Sequence, residues 1–239
     1  MQQTIGKYRW TICALVFFAT TINYLDRQVM SLVKAELDQE FSWTKSDYAN
    51  LTAAFQLAYA IGMIFAGRLI DKLGTKIGYA LSLVLWSVAA VGHGFIRSTA
   101  GFFIARSALG VTEAGNFPAA IKTISEWFPK KERSFATGIF NSGTNIGAIV
   151  APLTVPFIAE AFGWRAAFVI TGAFGFIWLI FWFWLYEIPK KQKRLKKEEF
   201  EFIHSDLDEK ADNEGTGKKY SWTQLLGFRQ TWAFALGKF

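Results

Sequence analysis

Five long stretches without a charged residue constrain the fold of this chain more than any other feature. They are predominantly apolar and cover residues 10–25, 48–67, 77–96, 134–159 and 166–186. An apolar helix of about 20 residues can cross the ~30 Å hydrocarbon core of a bilayer. Because lipid offers no partners for backbone N–H and C=O groups, these stretches predict membrane helices. A soluble α/β enzyme, an all-β sandwich and a disordered chain are excluded.

Charge is distributed unevenly along the 239 residues. The 53 residues from Glu187 onward hold 20 of the charged side chains, so the first 186 residues are only about 13% charged, against roughly 25% in an ordinary soluble domain. We therefore predict an all-α membrane domain over residues 1–186. A cytoplasmic central loop with a short amphipathic helix is predicted over 187–229, with a linker at 213–217. Residues 230–239 are predicted to begin a seventh helix that is cut short.

Six membrane spans are predicted, near residues 9–33, 48–69, 77–96, 101–122, 134–158 and 165–186. Lys and Arg in the connections number fifteen on the side of the N-terminus and central loop, against four on the other side. Since cytoplasmic loops are enriched in these residues, the N-terminus and the central loop are predicted to be cytoplasmic. The net charge of +7 then indicates contact with anionic lipid, at residues 190–197 above all, rather than with nucleic acid.

Four ionisable side chains fall at membrane depth: Asp26 and Arg27 in the first span, Arg106 and Glu113 in the fourth. Each costs ~2.5–3.5 kcal/mol at the centre of a span unless it pairs or faces water. Asp26 either neutralises one of the arginines structurally or has a functional role. Arg27 either acts in the interior or extends to the outer interface. Glu113 has no cation within one turn of its own helix, so an unpaired carboxyl that exchanges protons is expected there.

Other polar residues of the spans either line an aqueous cavity or bond neighbouring helices. Asn23 lies one turn before the charged pair of the first span, Gln56 and Tyr59 lie one turn apart in the second, and Thr144 lies in the fifth. Two His and one Cys provide neither a Ser/His/Asp set nor a cluster of metal ligands. The sequence therefore predicts no enzyme and no cofactor.

The helices are expected to be shaped by glycine and proline. Gly143 and Gly147 have the spacing that lets two membrane helices approach closely. Pro118 and Pro152 are expected to bend the fourth and fifth spans, because proline removes a backbone hydrogen bond.

Residues 67–76, Gly-Arg-Leu-Ile-Asp-Lys-Leu-Gly-Thr-Lys, link the second and third spans. They resemble the signature loop of the major facilitator superfamily, with Ile77 at its last basic position. Gly67 and Gly74 are expected to permit tight helix ends. Asp71 is expected to cap a helix and to pair with neighbouring cations as a gate contact.

Further segments extend this resemblance. They are Asn-Tyr-Leu-Asp-Arg-Gln at 23–28, Ala-Tyr at 58–59, Arg106 with Gly110, Glu-Ala-Gly-Asn-Phe-Pro-Ala-Ala at 113–120, Trp-Phe-Pro at 127–129 and Lys-Glu-Arg at 131–133. The chain resembles the anion:cation symporters of the superfamily, most of all bacterial hexuronate transporters, which move sugar acids with protons. The resemblance covers the N-terminal half of such proteins. It implies a six-helix half made of two inverted three-helix repeats in the bacterial inner membrane.

The resemblance also implies roles for single residues. Arg27 matches the arginine that meets the substrate carboxylate, and Tyr59 matches a tyrosine of the same site. Glu113 matches the glutamate of proton coupling, with Asp26 as its acidic companion. Thr144 falls where relatives present a side chain to sugar hydroxyls.

Arg106 matches the arginine with which the acidic residue of the first span can pair, and Asn23 and Gln56 are further candidates for the substrate site. The implied function is proton-coupled import of sugar-acid anions such as galacturonate or glucuronate. The implied partners are the substrate, protons, lipid and a C-terminal half. The alternative is a truncated or half-sized transporter with a structural or interaction role, and the reading frame beyond Phe239 discriminates between the two.

Overall fold

The structure is a computed structural model that describes residues 6–205, residue 224 and residues 227–236. The predicted linker at 213–217 lies outside the described residues. The first compact unit ends at Ile203, and its helices are α1 (Tyr8–Leu32), α2 (Lys34–Phe41), α3 (Lys45–Leu73), α4 (Thr75–Gly92), α5 (Thr99–Glu113), α6 (Asn116–Trp127), α7 (Lys130–Phe162), α8 (Trp164–Leu185) and α9 (Lys197–His204, whose last residue falls in the second unit). The second unit contains α10 (Arg229–Leu236). Across these described ranges no strand occurs, which confirms the all-α prediction.

Among the described helices, four are long and apolar enough to cross a membrane. They are α3, α4 together with the 3-10 turn at His93–Phe95, α7 and α8. The other two predicted spans contain the interior charges. α1 has 25 residues but includes Arg9, Asp26 and Arg27, and the fourth predicted span is divided between α5 and α6.

The helices of residues 8–185 pack with an internal symmetry. α1 packs along α7, α3 packs along α5, and α4 packs along α8. If spans one to three are exchanged with spans four to six, the α1–α7 pair becomes the pair of α5 with α3. The α4–α8 pair stays the same under this exchange. This is the contact pattern of two three-helix repeats, and it agrees with the predicted fold.

Glycines set the closest approaches between helices. A Cβ atom at Gly143 of α7 would lie 2.7 Å from the carbonyl oxygen of Phe17 in α1. A Cβ atom at Gly147 would lie 2.5 Å from the carbonyl oxygen of Thr21. A Cβ at Gly110 of α5 would lie 2.5 Å from a carbonyl oxygen of α3. Any larger side chain at these positions would push the helices apart, so the close contact predicted for Gly143 and Gly147 is confirmed.

The fourth span is interrupted immediately after Glu113, where a single helix was predicted. α5 ends at Glu113 and α6 begins at Asn116. Pro118 has no N–H to donate to the carbonyl group of Ala114 one turn earlier, and its ring crowds that carbonyl. The proline thus accounts for the interruption. The two prolines of α7, in contrast, lie within one continuous helix.

The link at residues 67–76 contains a single break between helices, at Gly74, where breaks near both Gly67 and Gly74 were predicted. Gly74 separates α3 from α4 with a φ of 77°, a backbone conformation that favours glycine. Gly67 lies inside α3, and a Cβ atom there would meet no described atom within 4 Å, so its predicted role at a helix end is wrong. Asp71 forms an ion pair with Lys122, with 2.7 Å between Oδ1 and Nζ.

Candidate functional site

The centre of the candidate site is an ion pair between α1 and α5. Arg27 Nε donates to Glu113 Oε2 over 2.5 Å, with 20% of the arginine side chain and none of the glutamate side chain exposed. The expectation that Glu113 is unpaired is therefore wrong, and of the two alternatives for Arg27 the structure has the interior one rather than extension to the interface. The partner of Glu113 is not evident from its own helix, because Arg27 lies 86 positions away in the sequence.

Three aromatic rings surround the Arg27 guanidinium group. Its central carbon lies 4.7 Å from the ring centroid of Tyr24, 4.5 Å from that of Tyr59 and 5.4 Å from that of Phe55. We call these three residues the aromatic cage. Cation–π attraction holds the guanidinium in a fixed position before any ligand arrives. Tyr59 was expected here; Tyr24 and Phe55 were missed, although each lies one helical turn from Arg27 or Tyr59.

Asp26 and Arg106 are both buried but do not pair with each other. Asp26 is 2% exposed, and neither carboxylate oxygen has a hydrogen-bond partner within the described ranges. Arg106 is 5% exposed, its Nε and Nη1 atoms likewise lack a described partner, and its guanidinium lies 5.2 Å from the Phe55 ring centroid. Asp26 and Arg27 are neighbours on α1, so their side chains project about 100° apart, and only Arg27 meets the charge on α5.

Several buried polar atoms beside the ion pair have no partner among residues 6–205. They include both side-chain amide atoms of Asn23 and Oε1 of Glu113. Thr171 of α8 approaches Asp26, but its hydroxyl donates to the Phe168 carbonyl oxygen over 3.4 Å. Buried polar groups are normally satisfied by protein, ordered water or ligand. The interior between α1, α5 and α8 is therefore chemically suited to water or to a polar ligand.

The two remaining predicted substrate contacts lie on other helices than the ion pair. Gln56 is exposed on α3. Thr144 is half-buried on α7, where its hydroxyl donates to the Asn141 carbonyl oxygen over 2.8 Å. In the part of the chain that the structure describes, no hydrogen bond joins either residue to Arg27 or Glu113.

Ion pairs also close both ends of the bundle. Lys76, in the first turn of α4, pairs with Glu187 over 2.8 Å, and its hydrogen bond lowers the pKa of that carboxyl below its usual value. At the opposite end Glu40 pairs with Arg165 and accepts a hydrogen bond from Trp164 Nε1 over 2.7 Å. Hydrogen bonds from Arg165 and Trp164 lower the pKa of Glu40.

Comparison with known proteins decides the family. The sequence profile of the Major Facilitator Superfamily matches residues 16–238. The chain belongs to the major facilitator superfamily. Its membership agrees with the symmetric bundle and with the signature loop at residues 67–76, and it confirms that the chain is a membrane protein of a transporter family rather than an enzyme.

Two curated relatives of this superfamily member are similar over 98% of the chain. A galacturonate transporter of Dickeya chrysanthemi is 39% identical over 235 residues, which is 68% of the relative's own length. A hexuronate transporter of Escherichia coli K12 is 40% identical over 235 residues, which is 54% of its length. The chain thus spans about half to two thirds of the curated relatives that it matches.

Solved structures support the same fold. A bacterial homologue of the human lysosomal transporter Spinster matches with a TM-score of 0.70 and 24% identity, covering 77% of this chain and 44% of that protein. The proton:xylose symporter XylE matches with a TM-score of 0.69 and 18% identity, covering 84% of this chain and 50% of XylE. At these identities the likeness establishes the fold alone.

Proposed function

We propose that this chain forms the N-terminal six-helix part of a proton-coupled symporter that imports sugar-acid anions, hexuronates such as galacturonate or glucuronate. The observation that carries the proposal is the ion pair between Arg27 and Glu113 at membrane depth, inside the aromatic cage. The two relatives at 39% and 40% identity, named galacturonate and hexuronate transporters, support the choice of substrate class.

The ion pair suggests how a carboxylate substrate binds. The Glu113 carboxylate already occupies one side of the Arg27 guanidinium, and a substrate carboxylate requires the same donors. Exchanging one carboxylate for the other keeps the guanidinium neutralised, whereas leaving a buried charge unpaired costs about 3–5 kcal/mol. A guanidinium also binds a carboxylate through two parallel hydrogen bonds, which gives orientation as well as affinity. Tyr59 and Asn23 then contact the sugar hydroxyls.

Competition for Arg27 couples substrate to proton. When Glu113 takes up a proton it becomes neutral, so its attraction to Arg27 weakens and the guanidinium is free for the substrate. Proton and substrate therefore favour the same state, and each raises the affinity for the other by the same factor. One proton with a monoanion moves no net charge. A second proton, on Asp26, would draw ~2.3 kcal/mol per 100 mV from the membrane potential.

A second six-helix unit would complete the substrate cavity. Polar side chains at membrane depth are exposed on α3 and α7, namely Thr52, Gln56, Ser142 and Asn145. Such groups are costly against lipid, so they favour a surface that faces water or another protein unit. Asp71 of the signature loop, paired with Lys122 of α6, acts as a gate contact beside the break at Gly74. The proposed location is the bacterial inner membrane, with the N-terminus and central loop cytoplasmic.

The proposal is tested by uptake of labelled galacturonate and glucuronate. Cells produce the protein from the complete reading frame that contains this chain, and uptake is measured with and without an inward pH gradient. We expect Glu113→Gln to abolish gradient-driven accumulation while substrate exchange across the membrane stays within about twofold, because the neutral side chain mimics the protonated state.

The matched control is Glu160→Gln, which removes an exposed carboxylate at the end of α7 and should leave accumulation unchanged. Gradient-driven accumulation by the Glu113→Gln variant would remove Glu113 from the coupling mechanism. Absence of uptake by the unmodified protein would refute the substrate class. If the complete frame transports but residues 1–239 alone do not, a second unit is required, as proposed.

A further inference from the structure

A buried polar network crosses three helices directly behind the interruption of the fourth span. Tyr79 of α4 donates from its hydroxyl to Asn116 Oδ1 over 2.7 Å, and Asn116 Nδ2 donates to Thr20 Oγ1 of α1 over 3.4 Å. The three side chains belong to residues that are at most 4% exposed. We call Thr20, Tyr79 and Asn116 the Asn116 network.

The donors and acceptors of this network fix its orientation. The Thr20 hydroxyl donates to the Val16 carbonyl oxygen over 3.0 Å, so its oxygen can only accept from Asn116. The amide group of Asn116 must therefore direct its nitrogen to α1 and its oxygen to Tyr79. The network has one arrangement in which every hydrogen bond is made, which is what a rigid contact between helices requires.

The Asn116 network lies close to the Arg27–Glu113 pair in both the first and the fourth span. Asn116 is the first residue of α6, three positions after Glu113, with the interruption between them. Thr20 is seven positions before Arg27 on α1, which is two turns or about 10.5 Å. The first and fourth spans are thus joined twice, once by the Asn116 network and once by the Arg27–Glu113 pair.

Stability alone does not explain why a buried amide lies at position 116. Buried amides are tolerated when they are hydrogen-bonded, but an apolar residue of similar volume is usually as stable. Thr123, also fully buried on α6, satisfies its hydroxyl within its own helix by donating to the Ala119 carbonyl oxygen over 2.8 Å. In Asn116, by contrast, both polar side-chain atoms form hydrogen bonds to other helices, to α4 and to α1.

We propose that Asn116 is a positioning residue, which holds the start of α6 against α1 and α4 so that Glu113 stays aligned with Arg27. Without this anchor, the start of α6 is joined to α5 only through Ala114 and Gly115, which keep helical backbone angles but interrupt the regular hydrogen-bond ladder of the helix. Misalignment would weaken the competition between Glu113 and substrate for Arg27. The consequence for transport rests on the proposed function, whereas the consequence for the ion pair does not.

The ion pair is tested first, without transport. Thermal unfolding of the purified full-length protein in detergent is measured for Tyr79→Phe, Glu113→Gln and the double variant. Tyr79→Phe keeps the ring packed against Trp178 and Trp182, at centroid distances of 5.4 Å and 5.1 Å, so the fold is retained. Tyr79→Phe should lower the melting temperature of the unmodified protein. In the Glu113→Gln background we expect the same substitution to lower it by no more than about half as much, because the effects of coupled residues are not additive.

The control cycle combines Thr123→Val with Glu113→Gln, and there we expect additive losses. Additive losses for Tyr79→Phe as well would overturn the positioning role. A coupling of equal size in both cycles would overturn it too, because it would indicate a general loss of packing rather than transmission through the Asn116 network.

Transport provides the second readout. For Asn116→Ala and Tyr79→Phe we expect the ratio of gradient-driven accumulation to exchange to fall about fivefold, the factor that corresponds to one lost hydrogen bond. Thr123→Val should stay within about twofold of the unmodified protein. An unchanged ratio in both network variants refutes the role of Asn116 in coupling. If the unmodified protein transports no sugar acid, the proposed function fails, and the unfolding cycles still decide whether Asn116 positions Glu113.

Discussion

The segment after the sixth span is predicted to stabilise the start of the first helix through Glu199. This residue of α9 is 1% exposed and accepts hydrogen bonds from the backbone N–H groups of Tyr8 and Arg9, each over 3.0 Å. It also pairs with the Arg9 side chain over 3.1 Å. The residue before α1, Lys7, provides no side-chain cap. Glu199 therefore caps α1 from a position 190 residues later in the chain.

The expected loss on Glu199→Ala follows from these contacts. Removing a helix cap costs about 1 kcal/mol, and losing hydrogen bonds to a charged group costs about 1.5–3 kcal/mol. Arg9 keeps its pair with Glu132 over 2.8 Å, so the full penalty for an unpaired buried charge does not apply. We expect a loss of about 3 kcal/mol, which lowers the melting temperature by roughly 6–12 °C for a unit of about 150–250 residues that unfolds cooperatively.

The matched control is Glu201, two positions later on the same helix. Its side chain is 64% exposed and pairs with Lys197 at 3.8 Å, so Glu201→Ala should cost less than about 0.5 kcal/mol. Glu199→Gln keeps an acceptor but loses the charge and should give an intermediate result. Thermal unfolding of the purified full-length protein in detergent measures all three variants. Equal melting temperatures for Glu199→Ala and Glu201→Ala would refute the capping role.

Two further variants test packing and pH dependence. Gly147→Leu should destabilise the protein by about 3 kcal/mol or more, because the side chain would meet the α1 backbone. Gly92→Leu at the end of α4, where a Cβ atom would meet no described atom within 4 Å, should be close to neutral in the same unfolding assay. Glu40 has a lowered pKa in the folded protein, so its pair with Arg165 contributes stability above the ordinary value of 4.5 that is lost as pH falls through the lower folded value. At pH 7 the unmodified protein should be slightly more stable than Glu40→Gln, by no more than about 1 kcal/mol for this exposed pair. The two melting temperatures should converge once the pH falls below the lowered pKa of Glu40. A difference independent of pH would contradict this.

The fold was largely predictable from local features, but the site was not. The five uncharged runs located the helices α1, α3, α4, α7 and α8. The spacing of Gly143 and Gly147 predicted a close helix contact that α1 and α7 make. The sequence also singled out Arg27 and Glu113 as charges that need a partner. It did not show that they pair with each other, because their contact joins residues 86 positions apart on different helices.

The sequence by itself determined that this chain enters a membrane as helices, since the length of an apolar run is a local property and lipid excludes unpaired backbone groups. Residue motifs also determined its superfamily. Only the tertiary structure decided that Arg27 meets Glu113, that Asn116 joins three helices, and that Glu199 caps α1. These contacts depend on how each helix is rotated about its axis and packed against its neighbours, and that rotation is set by glycine contacts and by the interruption after Glu113 rather than by any single segment.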